Sequence, residues 1–334
     1  MPYTFRAMFP AICMALILPC SPIARAADPA PAKDAKAAEA PVERAPLPSR
    51  AEEDTLALER QLPKAEQQQL QAGDQSFLAL WKPANAEEAK GAVVIVPGAD
   101  ESADWPDVVA PLRRKMPDAG WSSLSLTLPD AHQDVFVQSV DTPATGDKAA
   151  TDKDKAKDVA AKTPDPAASA EAEAKAAAEQ AAAQAEIAKA NADKIFARID
   201  SAVAFAQQNK AHTIALVGHG TGAYWAARYM SERPSPAVQK LVLVTAVDTG
   251  KDTPSLLELL PTLKVATADF VNKDRPVPRQ QAQDRLDASK RTKNLRFTQV
   301  ALSAIPGNTE MEQEQLFRRI RGWLEGDESA RKAD

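Results

Sequence analysis

The chain has 334 residues, 44% of them apolar and 26% charged, the profile of an ordinary globular protein. A formal net charge of −5 offers no basic surface for nucleic acid or anionic lipid. With two cysteines and three scattered histidines, neither a disulfide framework nor a transition-metal centre is expected, and no motif calls for a cofactor.

The first 26 residues have the pattern of a secretory signal peptide. Arg6 supplies the positive start, "AMFPAICMALIL" the apolar stretch, and Ala24-Arg25-Ala26 a small-x-small cleavage site before Ala27. That stretch is well short of the roughly 20 residues a membrane span needs. Both cysteines, Cys13 and Cys20, lie within it, and Pro19 before Cys20 does not suit a lipoprotein signal. The peptide holds Arg6 and Arg25 and no acidic residue, so the mature chain carries a net charge of −7 and no thiol. The expectation is a periplasmic or secreted protein without a transmembrane segment in the mature chain.

Residues 27–72 begin "ADPAPAKDAKAAEAPVERAPLPSR" and show no apolar periodicity, so they are expected to form a disordered or weakly structured tether. From there the pattern alternates. "SFLALWKP" (76–83) reads as an antiparallel edge strand and "GAVVIVPG" (91–98) as a buried one. "WPDVVAPLRRKMPDA" reads as a helix and "WSSLSLTLP" (121–129) as a strand. A low-complexity tract, 131–192, then interrupts the series. Its first half is Lys/Asp/Pro-rich linker, and its second, "AEAEAKAAAEQAAAQAEIAKANADK", is built from strong helix formers. Ile195, Ile199 and Val203 recur at i, i+4 and i+8, which docks the end of that helix on a core.

Beyond the tract come helix 193–208, strand 213–218, helix 222–232, strand 240–246, helix "SLLELL", strands 263–268 and 295–302, and helix 310–325. A short tail, 327–334, ends the chain. Apolar strands separated by amphipathic helices mean an α/β fold, with a mostly parallel sheet covered on both faces.

"LVGHGTGAYW" (216–225) has the form of a strand–turn–helix elbow. In the G-x-S-x-G pattern the middle position carries a nucleophile; here it holds Gly220, between Gly218 and Gly222. The order of elements resembles the α/β-hydrolase superfamily over most of residues 73–326. More narrowly, "ALWKPANAEEAKGAVVIVPGADESADWPDVVAPLRRKMPDAGWSSLSLTLPD" and "GHGTGAYWAARYM" resemble a proteobacterial family of α/β-hydrolase-like envelope proteins with no assigned activity.

The resemblance implies four working parts. The nucleophile position holds Gly220, which has no side chain, and the base expected after the last strand is replaced by Asn308 and Thr309. The acid's place, after strand 263–268, matches Asp269, with Asp274 as a fallback. The oxyanion loop matches "PGADESADW", where Gly98 keeps the backbone approachable. Thr221 is an alternative nucleophile, although as first residue of the helix its hydroxyl more naturally bonds backbone. His219 or His132 could serve it as base, whereas His212 precedes its strand at the far end of the sheet.

Gly218, Gly220, Thr221, Gly222 and Gly98 also outline a turn able to hold an anion on backbone N–H groups, although packing alone accounts for the glycines equally. Tyr224 and Trp225 read as packing, and Glu101 and Asp104 as a solvated loop. The chain is thus expected to be a pseudoenzyme that binds a small molecule or an envelope protein. Two alternatives remain: an esterase with a displaced nucleophile, or a spacer acting through the Ala/Lys/Glu tract.

Overall fold

The computed structural model describes residues 48–130, 166–250 and 253–331. The expected signal peptide, the tether up to residue 47, the first part of the inserted tract and His132 lie outside these. Eight strands form one sheet: β1 (Gln67–Ala72), β2 (Gln75–Lys82), β3 (Gly91–Val96), β4 (Trp121–Leu126), β5 (Ile214–His219), β6 (Val238–Val244), β7 (Ala266–Asn272) and β8 (Phe297–Leu302). Their order is β1-β2-β4-β3-β5-β6-β7-β8. The β1–β2 and β2–β4 pairs are antiparallel and all others parallel.

The helices are α1 (Arg50–Gln61), α2 (Val109–Lys115), α3 (Pro166–Gln208), α4 (Thr221–Glu232), α5 (Leu256–Leu259), α6 (Pro276–Arg291) and α7 (Thr309–Arg331). The strand side chains alternate between two cores, as period-2 geometry requires. Val94, Val96 and Leu216 join Phe196 and Ile199 of α3 and Ala223 and Tyr224 of α4. Val93, Ile95 and Val217 join Leu112 of α2 and Ile320 of α7 on the other face. The sheet is therefore covered on both sides, as the apolar runs of β3, β5 and β6 imply.

The part of the expected 27–72 tether that the structure describes is folded, not a tether. Ser49 and Glu52 form a capping box that starts α1, and β1 pairs with β2 from Gln67↔Leu80 to Ala72↔Gln75. The strand is concealed in the sequence because "QQQLQA" has a single apolar side chain between glutamines; its partner, not its propensity, makes it a strand. Fully buried Arg113 of α2 ties this segment down, bonding Glu66 just before β1 and Asp104 at 2.8 Å. Burial alone would raise the Glu66 carboxyl, but Arg113 and Lys82 hold it below the usual carboxylate range.

The Ala-rich half of the inserted tract is helical, continuous with the docked segment in a single 43-residue helix, α3. Residues 177–186 are exposed along it, whereas Ala192, Ile195, Phe196, Ile199 and Val203 are buried. Helix α6 has no counterpart among the expected elements. Pro276 and Pro278 look like breakers, yet both fall in the first turn, where a missing N–H costs nothing. Its inward residues are Ala282, Arg285, Ala288 and Ser289, too small and polar to show an apolar period.

Strand β7 runs four residues further than expected, past Asp269. This carboxylate is fully buried in mid-strand and meets Arg285 Nη2 at 2.9 Å and Gln299 Nε2 at 3.2 Å. Burial pushes its carboxyl above the usual range, against the pull of Arg285 and Gln299. Replacing only one member of such a buried pair strands the other charge. Arg285→Leu is therefore expected to lower the unfolding free energy by about 3–5 kcal/mol, and Asp269→Leu with Arg285→Met to recover most of that loss, as read from urea denaturation.

Candidate functional site

Strand β5 is buried up to Gly218 and ends at His219, where the chain turns sharply into α4. Gly220 forms the turn at φ 56° and ψ −122°, a conformation that a side chain enters only under strain. Its N–H donates to Val244 O at 3.0 Å and its carbonyl accepts from Val247 N at 3.0 Å, so the end of β6 brackets the turn.

The three glycines of the elbow have different reasons to be glycine. A Cβ on Gly222 would stand 2.2 Å from Pro97 O and 2.3 Å from Val96 O at the end of β3. One on Gly218 would stand 2.4 Å from the Ala223 Cα of α4. Both are fixed by contact. A Cβ on Gly220 would meet nothing within 4 Å, so the nucleophile's position exists in backbone form and opens onto free space.

That space is a crevice of about 520 Å³ at the carboxyl ends of the strands, where α/β sheets hold their ligands. His219, Gly220, Thr245, Ser303 and Thr309 are among its lining residues. Thr245, which motif reasoning did not single out, is a β-branched residue at φ 49°. Its N–H is anchored to Phe270 O at 2.9 Å. Backbone outliers of this kind concentrate at functional sites.

Behind the crevice wall, the loop after β3 closes on the elbow. Thr221 Oγ1 accepts the Ala99 N–H at 2.7 Å, so the hydroxyl bonds backbone. The Gly98 N–H donates to Glu101 Oε2 at 2.7 Å. The same carboxylate meets His219 Nδ1 at 2.7 Å through Oε1 and 2.9 Å through Oε2. The two side chains are 16% and 13% exposed, so the pair is largely withdrawn from water. Glu101 and Asp104 are thus not the solvated loop the sequence suggests. Asp104 pairs with Arg113 and Arg114, and the Glu101–His219 contact spans 118 positions, which no local pattern can announce.

The other expected residues fall apart from this group. Asp269 is held inside the sheet, not past it, so the loop beyond β7 presents Asp274, whose Oδ2 accepts Ala304 N at 2.7 Å. Asn308, at the place of the expected base, caps α7 by accepting Met311 N at 3.0 Å. His212 is exposed before β5, its carbonyl accepting from Gln239. Tyr224 and Trp225 are buried edge to face at 5.2 Å, as packing predicts. Among the described residues, no helix is long and apolar enough to cross a membrane.

The sheet, its two helical layers and the elbow define an α/β-hydrolase-like fold. It is similar to a Klebsiella pneumoniae protein provisionally designated a dienelactone hydrolase, with a TM-score of 0.51 at 11% identity, covering 77% of this chain and 96% of that one. It is also similar to the Pyrococcus furiosus esterase Pf2001, with a TM-score of 0.50 at 11% identity, covering 78% of this chain and 89% of that one. The chain belongs to the family described as "Protein of unknown function (DUF3530)", whose model matches residues 9–326. No curated protein matches it.

The contacts separate two kinds of glycine, and substitution should do the same. Gly222→Ala is expected to cost about 3 kcal/mol or more through backbone overlap with β3. Gly220→Ala should cost only the left-handed backbone strain, about 1–2 kcal/mol. Guanidinium denaturation of the two variants reads the difference, and equal losses would contradict the assignment.

Proposed function

We propose that this chain is an exported α/β-hydrolase-fold protein that binds a small molecule or an envelope protein in its crevice and does not hydrolyse it. The observation that carries this reading is Gly220, which adopts the backbone conformation of an elbow nucleophile but has no side chain. A serine hydrolase also needs a base poised at the nucleophile and free N–H donors for the developing oxyanion. Here Asn308 stands at the base's place as a helix cap. The loop N–H groups of Gly98 and Ala99 are engaged by Glu101 and Thr221. Thr221, the alternative nucleophile, has its hydroxyl oxygen committed to Ala99 and stands first in α4. Export to the periplasm is supported by the positive, apolar and small-x-small pattern of residues 1–26.

Fluorophosphonate labelling of the purified protein, with short and long acyl esters assayed in parallel, tests the reading directly. No saturable label and no turnover are expected. Gly220→Ser should remain inactive, because no histidine follows the last strand and the loop N–H groups of Gly98 and Ala99 are already engaged. A labelled wild-type peptide, or robust ester hydrolysis by Gly220→Ser, would sink the reading.

A further inference from the structure

One backbone donor that could hold an anion beside the elbow, the Gly98 N–H, is already taken by a carboxylate of the chain itself. Glu101 takes the Gly98 N–H and the Nδ1 of His219, and Thr221 takes the Ala99 N–H. Gly98 also has little room for another group, since a Cβ there would meet the Glu101 carboxyl carbon at 3.1 Å. An incoming carboxylate would find these donors engaged and a like charge beside them.

The same contact orients His219. A carboxylate only accepts, so Nδ1 is the nitrogen that carries its proton toward Glu101, and in the singly protonated tautomer this contact selects, Nε2 is the acceptor. His219 lines the crevice, whereas Glu101 is not among its lining residues and backs the ring from behind. The rest of the wall reinforces this polarity. Arg275 shares it with Asp107 and Glu312, so the wall has no excess of positive charge. Val244, Val247, Leu302 and Leu316 supply apolar surface for an aliphatic body.

We propose that the crevice takes a neutral ligand with an aliphatic body and a hydrogen-bond donor, a hydroxyl or amide N–H, given to Nε2 of His219, and that Glu101 excludes carboxylates. This deepens the non-hydrolytic reading and rests on it. Volume supports the class as well, since about 520 Å³ is within the usual range for small-molecule sites. A site built to accept from a donor discriminates sharply against isosteres without one, because its buried acceptor is then left unpaired.

Three small probes that cannot be hydrolysed test the proposal on the purified protein: 1-hexanol, its isomer methyl pentyl ether, and hexanoate. Binding is measured by calorimetry, with the His219 ring resonances reporting occupancy by NMR. Hexanol is expected to bind at least tenfold more tightly than either the ether or hexanoate and to shift the His219 signals. Glu101→Gln should narrow the hexanol–hexanoate gap at least tenfold. His219→Phe should abolish discrimination between hexanol and the ether.

Equal binding of ether and hexanol by the wild type, hexanoate binding as tightly as hexanol, or no binding of hexanol at its solubility limit would each overturn the proposal. The wild-type comparison decides the matter even if a variant fails to fold. Ester turnover would instead remove the non-hydrolytic reading, and that is measured separately.

Discussion

The architecture around the crevice depends on one close approach, that of α4 to the end of β3. The Gly222 backbone sits so near the Pro97 and Val96 carbonyls that even a methyl group has no place. With Gly218 closed against Ala223, this contact sets the depth at which the helix enters the sheet. It also brings the loop after β3 within hydrogen-bond reach of the elbow. The Thr221–Ala99 bond and the Glu101–His219 pair exist only because two glycines let the backbones meet. A bulkier residue at either position would part the loop from the elbow, and His219 would lose the carboxylate behind it.

Seen this way, the elbow is a folding device before it is a chemical one. Its backbone holds the conformation in which a hydrolase displays a nucleophile, and it is hydrogen-bonded to the loop after β3 on one side and to the end of β6 on the other. What differs is the destination of the donors. In place of facing outward toward a substrate oxygen, they turn inward to Glu101 and Thr221. The likeness to a hydrolase-designated protein and an esterase at 11% identity is accordingly one of scaffold, and chemistry has to be argued from the side chains.

How much of this was legible depended on whether a signal was local. Strands β3, β5 and β6 are largely buried and read as mostly apolar runs, and the glycine spacing at 218–222 marked the elbow directly. Strand β1 and helix α6 were hidden because partners, not apolar periodicity, hold them. Strand β7 was cut short at Asp269, since a carboxylate inside a strand makes sense only once Arg285 and Gln299 are beside it. The candidate site divided in the same way. Gly220 and the missing base could be read off, whereas the Glu101–His219 contact joins positions that only the fold brings together.

The glycine at the turn has one further consequence, for the resilience of the fold. Elbows that present a nucleophile hold a side chain in unfavourable backbone geometry, a cost of about 1–3 kcal/mol that persists for the sake of activity. Gly220 adopts the same geometry freely. Since a domain's total stability is only about 5–15 kcal/mol, that relief is a sizeable share. The scaffold accordingly has a wider margin before it unfolds than an otherwise identical chain with a side chain at this turn, and the surfaces around the crevice are correspondingly freer to vary.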